Sequence, residues 1–537
     1  MIRTGRWPLL TVFAIGLIAL ASVWLTGIDS GNAPVGATGG TYVEAVVGSA
    51  DRANPLFASS PVERDLVKLL FAGLTRPGAD GSILPDLAES WSVSEDGRRY
   101  TFQLRPRLQW HDGEPITADD VVFTASLLSS PDYAGDPTIA ALWRNVDARR
   151  IDRLTVEFEL EQPFAPFLAA TTIGLLPSHL LGDLSVQEVQ ASSFNQAPIG
   201  SGPFVLDSIG DDGARLRANR SYHLQPPYLD RLGLRFFETA EEAQLALQAG
   251  QVDGMLLPDR QAAEALSGDD FTIVKMPTSA YVVLYLNHRS VLFVDSRVRQ
   301  ALALSIDREA IVADVLAGDG IASADPLAPG TWASTEEGGE LEVDPDRAAE
   351  LMEEAGWQLQ DGTWRRGDIE MRFNILTNPD AERLAVAEAV ARQLRDVGFL
   401  ASVAEVDPNT LVQDFLQPRQ YQAALFAFDP GIDPDPYPAW HSSQSGSGGA
   451  NLASYVDEEA DRLLAEARIA TSEEARRQLY AALVARFREQ APSVILYYPE
   501  RLYAVRDDVR GVAPGAFFDR TSRFFAIEDW YRETRSP

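Results

Sequence analysis

Trp91-Ser-Val-Ser-Glu-Asp-Gly-Arg-Arg-Tyr-Thr-Phe-Gln-Leu104 reads as two alternating runs around Asp96-Gly97. Asp-Gly between such runs marks a tight hairpin, because both residues tolerate the positive φ angles of the turn. Tyr100, Phe102 and Leu104 fall on one face. Downstream, Trp110-His111-Asp112-Gly113 leads into Pro115 to Asp120, where Thr117 caps an expected helix and Asp119 and Asp120 favour its positive end. Upstream, Thr41 to Val47 alternates as a strand. Ser60, Pro61 and Glu63 then form a capping box with proline in the first helical turn. Leu66, Leu69 and Leu70 supply that helix's buried stripe, and Gly73 is read as its stop.

The rest of the chain keeps alternating strand and helix. Pro198-Ile-Gly-Ser-Gly-Pro-Phe204 is a turn entering a strand, Thr239 opens a helix ending at Gly250, and Tyr281 to Asn287 is an apolar strand. Asp295 caps a helix, and further helices are expected over 344–356 and 380–398. Phe373 to Leu376, Ala401 to Val406 and Ala423 to Phe428 read as strands. Thr471-Ser-Glu-Glu474 opens a long helix that stops before Pro492, and Ser493 to Tyr498 is a strand. Ser442 to Gly449 reads as a flexible loop. Such alternation implies α/β lobes.

The 537 residues, 45% hydrophobic and 23% charged, suffice for several cores, so two or three lobes are expected. A net charge of −32 argues against nucleic acid and against anionic lipid surfaces as partners. It serves solubility, with a cleft that attracts cationic solutes as the second reading. The absence of cysteine excludes disulfides, thiol catalysis and a lipoprotein anchor. Arg3 and Arg6 precede an uncharged run from Trp7 to Ile28, long enough to span a bilayer with the body outside the cytoplasm. A transmembrane anchor over about 8–28 is the expectation; a signal peptide cleaved near Val35-Gly36-Ala37 is the alternative.

No metalloprotease, P-loop, nucleophile-elbow or dinucleotide motif occurs, so no catalytic residue, metal site or cofactor is expected. The five histidines are scattered without ligand spacing and read as structural. One acidic stretch stands out: Asp429-Pro-Gly-Ile-Asp433-Pro-Asp435-Pro follows the strand ending at Phe428. Chemistry alone leaves it a solvated Asp-Pro turn or a cation or ammonium site. Calcium fits less well, because EF-hand spacing is missing.

Taken in order, these motifs resemble the bacterial family 5 extracytoplasmic solute-binding proteins of oligopeptide, dipeptide and nickel ABC importers. The resemblance runs from Leu84-Pro-Asp-Leu-Ala88, Trp91 and Asp96-Gly97 through His111-Asp112-Gly113 and Gly200-Ser-Gly-Pro-Phe204. It continues through Arg297-Val-Arg-Gln-Ala301 to Asp433-Pro-Asp435, Asn451 and Tyr497-Tyr498. It implies an α/β, two-lobed periplasmic-binding-protein-like clamp (type II, cluster C) with an extra subdomain inserted in the first lobe. The expected divisions are a 1–40 anchor and tether, a first lobe over 41–286 with its insert at about 60–197, a second lobe over 287–498, and a return over 499–537. Trp110-His111-Asp112-Gly113 then belongs to the fold rather than to a site.

The resemblance also implies a monomeric receptor that delivers peptides or other small solutes to permease subunits. Asp429 is the implied partner of a ligand ammonium, with Asp433 as the alternative. The backbone of Phe426 and Ala427 would bond the ligand main chain, and Tyr281, Trp440 and Tyr498 are expected cleft walls. Dipeptide-type members place an arginine near the strand containing Leu376 to bind the ligand carboxylate; here the stretch is Thr377-Asn-Pro-Asp380, with Arg383 the nearest. Longer peptides and non-peptide solutes therefore stay open. A sensory or chaperone-like binding protein acting without an importer is the competing function, and a hydrolase has no positive sign.

Overall fold

The structure, a computed structural model, describes residues 38–266, 270–335, 343–513, 515–516 and 518–533. The expected anchor and cleavage site lie outside these residues. Among the described residues no helix is long and apolar enough to cross a membrane.

The first lobe starts with strand β1 (Thr41–Val47) and helix α1 (Pro61–Leu70). Ser60 and Glu63 close the capping box on α1. The helix ends at Leu70 rather than at the glycine, because Phe71 turns extended. Gly73 instead passes against the backbone of Thr172, where a Cβ would lie 2.6 Å from a carbonyl carbon. An inserted sheet follows, made of β2 (Ala88–Val93), β3 (Arg99–Leu104), β4 (Val146–Arg150) and β5 (Thr155–Leu160), in the order β2-β3-β5-β4. Its Tyr100, Phe102 and Leu104 are buried as the alternation requires. The chain then returns to the main sheet with β6 (Phe204–Gly210), β7 (Gly213–Ala218), β8 (Arg231–Phe237), β9 (Gly254–Leu256) and β10 (Phe271–Pro277).

The second lobe contributes β11 (Tyr281–Leu286), β12 (Arg372–Thr377), α2 (Ala381–Asp396), β13 (Leu400–Glu405) and β14 (Ala423–Phe428). Two helices, α3 (Glu458–Ile469) and α4 (Glu473–Gln490), precede the 13-residue strand β15 (Val494–Arg506). The expected Ser442 to Gly449 loop is tied down: Arg419 donates to the carbonyl of Gly449 at 2.8 Å.

β15 joins the lobes. Its first half pairs with β11, and its second half pairs with β10 and β9. A proline ordinarily closes a strand in a sequence reading, since it lacks a donor. Here Pro499 interrupts nothing; its carbonyl accepts from both the N–H (3.0 Å) and the hydroxyl (2.8 Å) of Thr278. The two passes of the chain are thus tied together where one lobe gives way to the other.

The first-lobe core contains a buried charge cluster. Arg523 donates to Asp65 at 2.8 and 2.7 Å and to Glu44 at 2.7 Å, with all three side chains sealed from solvent. Such a cluster is tolerable in the interior only because every charge is paired.

Candidate functional site

The motifs near the insert serve to hold α1. The N–H groups of Ser201 and Gly202 both reach the carbonyl of Leu70, at 3.0 and 2.8 Å, and so finish the helix. A Cβ on Gly200 would lie 1.9 Å from that oxygen, so only glycine fits. His111 locks this loop: its Nδ1 accepts from Gly200 N–H and its Nε2 donates to the Gly202 carbonyl, each at 3.1 Å. Burial lowers the imidazole to about 4, so it works as a neutral strut.

With its leucine stripe facing inward, α1 presents Arg64, Val67 and Lys68 to a cavity of about 610 Å³. Leu56, Phe57 and Phe518 supply apolar wall, and Arg76 lies beyond the end of the helix. Ile432, from the acidic loop of the second lobe, covers this cavity. The same Ile432 borders a second space of about 220 Å³, between Trp91 and Tyr100 of the insert and Trp332 and Arg476 of the second lobe. The lobes touch at their tips. Ala165 N–H donates to the Arg468 carbonyl at 2.7 Å, and Trp332 N–H to that of Asp80 at 3.0 Å. The Arg468 guanidinium also stacks 3.7 Å from the ring centre of Tyr437 and lies 5.5 Å from that of Phe164 across the cleft.

The three carboxylates of the acidic loop have different fates. Asp433 takes two bonds from Arg476, at 2.8 and 2.6 Å. Asp435 takes 2.7 Å from Arg468; burial raises its pKa, and the guanidinium opposes the shift. Asp429 pairs with no cation among the described residues. One of its oxygens accepts from Gly431 N–H at 2.9 Å and Ser279 Oγ at 3.3 Å. Gly431 has φ +77°, the left-handed turn that directs its N–H back to Asp429. Asp429 itself is exposed.

Asp429 follows a half-open strand. β14 pairs with β11 along its whole length, up to Tyr281 opposite Phe428, whereas its register with β12 stops at Ala424. Phe426 and Ala427 therefore have a strand partner on one side only. Tyr281, Trp440 and Tyr498 differ from expectation: each is about 1% exposed and none lines either cavity. They pack on one another instead. Trp440 Nε1 donates to the Tyr281 hydroxyl at 2.9 Å, the Tyr281 and Tyr498 rings lie 5.6 Å apart, and Tyr498 donates to the Asp325 carbonyl. Strand alternation places Tyr281 and Tyr498 behind β11 and β15, and a short helix (Tyr437–Trp440) brings Trp440 onto them, in the second-lobe core.

The sequence reading missed Ile432 and the cationic face of α1. The second was visible as Arg64 and Lys68 spaced four apart, opposite the leucine stripe. Among the described residues no group of three or more potential metal ligands is clustered.

Two lobes of one chain, sharing a strand and closing tip to tip over a mixed cavity, define a ligand-binding clamp. The model of the bacterial extracellular solute-binding proteins, family 5, matches residues 82–451, and the chain belongs to that family. It is similar to the oligopeptide-binding protein AppA of Bacillus subtilis, 28% identical over 92% of both chains. The structure of that protein in complex with a nonapeptide covers 93% of this chain and 100% of its own, with a TM-score of 0.66. The dipeptide-binding protein of Escherichia coli is 27% identical over 80% of this chain and 83% of its own length. NikZ of Campylobacter jejuni, solved with Ni(L-His), is 26% identical, with a TM-score of 0.70 over 92% of this chain and 99% of its own. The family comprises extracytoplasmic binding proteins, not enzymes, that take peptides or small solutes and work with ABC permeases.

Proposed function

We propose that the protein is the substrate-binding receptor of an ABC importer, capturing peptides or peptide-like solutes between its lobes and delivering them to the permease. The observation that carries the peptide reading is Asp429: a carboxylate that meets no cation among the described residues, at the end of a strand with one open edge. A peptide laid along Phe426 and Ala427 would pair by its main chain and bring its ammonium to Asp429. Asp433, held by Arg476, has its charge already spent. Tyr281, Trp440 and Tyr498 would support this edge from behind.

In this reading the first lobe takes residues 41–280 rather than the expected 41–286, with the insert at about 60–197, the second 281–498, and the return 499–537. The change of partners along β15 supports the later boundary, and the Thr278–Pro499 tie supports drawing the earlier crossover at 278–280. The N-terminal run over about 8–28 would tether a monomer to the membrane, and bound ligand would not be turned over. Native mass spectrometry of protein purified from its producing cells tests the function. A co-purified peptide that stays intact and raises the melting temperature when added back is the expected result. A non-peptide ligand, or cleavage of the peptide, would refute it.

A further inference from the structure

We infer that the large cavity receives an anionic group of the ligand, held by Arg64 and Lys68 of α1 together with Arg76; the inference rests on the reading of the interlobe space as the ligand site. The charges around the cavity do not cancel. Its carboxylates are occupied: Asp86 meets His223 at 2.6 Å, Asp136 accepts from Thr138 and Ile139 N–H, and Asp519 accepts from Thr521 N–H at 2.8 Å. Of its four cations, Arg52 is taken by Glu63 at 3.0 Å, and the other three are matched less fully. Among the described residues Arg64 donates only to the Ser59 carbonyl, and Lys68 makes no ion pair, although its charge is felt by the buried Glu528 carboxyl. Arg76 reaches Glu528 at 3.3 Å with one nitrogen, while its buried Nε–H finds no acceptor among them.

Lys68 lies in the last turn of α1, where the helix dipole welcomes a cation. Arg64 and Arg76 have no such reason to be there. In a chain of net charge −32, this wall is a local reversal of sign. It therefore favours anions where the surface as a whole repels them. In the second lobe, Arg383, the arginine nearest the Leu376 strand in sequence, bonds Asn378 at 3.1 Å and lies over the Phe426 ring.

The two lobes thus offer opposite charges: the α1 wall on one, and on the other Asp429, which lines neither cavity but lies on the loop whose Ile432 lines both. A solute with separated positive and negative ends, such as a peptide with free termini, gains charge-assisted bonds on both sides only when the lobes are closed. Differential binding of this kind is what shifts a clamp toward its closed state.

The test is competition, read by native mass spectrometry, among a mixed-sequence pentapeptide library supplied as free acids, as C-terminal amides and as N-acetylated acids. The wild-type protein is expected to retain acids over amides by about tenfold. The double variant Arg64→Gln/Lys68→Gln should lose that preference yet still discriminate against N-acetylation. Arg64→Lys/Lys68→Arg should restore it, which separates charge from folding. Indifference to amidation in the wild type, or a preference that survives in the glutamine variant, overturns the inference. Sensitivity to acetylation would then leave the peptide reading standing. Failure of every library form to bind overturns both.

Discussion

Arg476 holds Asp433 through two charge-assisted bonds, at 2.8 and 2.6 Å, and so fixes the loop that carries Ile432 over the main cavity. Both side chains are largely buried, so removing the carboxylate strands a guanidinium in a poor solvent. Asp433→Asn is expected to cost about 3 kcal/mol in chemical denaturation. Asp429→Asn, at an exposed position, should change stability by less than about 0.5 kcal/mol. Equal costs would show that the loop is not held by this pair.

Asp429→Ala is expected to weaken binding of a peptide with a free amino terminus by at least about 2 kcal/mol in titration calorimetry. An N-acetylated peptide should be bound with the same affinity by both proteins. Unchanged affinity for the free amine would remove Asp429 as its partner.

The contact between Phe164 and Arg468 crosses the cleft. Phe164→Ala should loosen closure by less than about 1 kcal/mol. Small-angle scattering of the unliganded variant should show a larger radius of gyration, with the melting temperature nearly unchanged. Identical scattering curves would deny the contact any part in closure.

His111 accepts a backbone N–H at Nδ1, so protonation there breaks the bond that locks the Gly200 loop. The imidazole titrates near 6.5 in an ordinary setting and near 4 in the fold. Between these values the unfolded chain binds the extra proton, so stability is full above about pH 6.5 and is lost as pH falls toward 4, by up to about 3 kcal/mol. His111→Asn keeps an acceptor without titrating. Its stability should fall less steeply over this window, and parallel slopes would exclude the histidine.

What could be read from the sequence was what local chemistry decides. The Ser60–Glu63 box and the Asp96-Gly97 hairpin involve neighbours in the chain, and both form as written. The clamp was legible through the ordered motifs, several of which, such as Gly200-Ser-Gly, fix one helix end. The fate of Asp433 was not legible, because its partner lies 43 residues away on another element. Pro499 reads as a strand end, yet its free carbonyl suits a crossover. The aromatic residues expected at the cleft occupy the core because strand alternation turns Tyr281 and Tyr498 inward and a short helix packs Trp440 on them. Arg64 and Lys68 look like a solvated helix face until the cavity is seen.

The Glu44–Arg523 contact has a consequence for biogenesis. Its partners are 479 positions apart, so Glu44 of β1 waits for Arg523 to be synthesised. Until then Glu44 and Asp65 have no guanidinium to meet, and β9 and β10 have no β15 to pair with. A nascent chain cannot complete this lobe early. That delay keeps the first lobe of the nascent polypeptide open while the second is made.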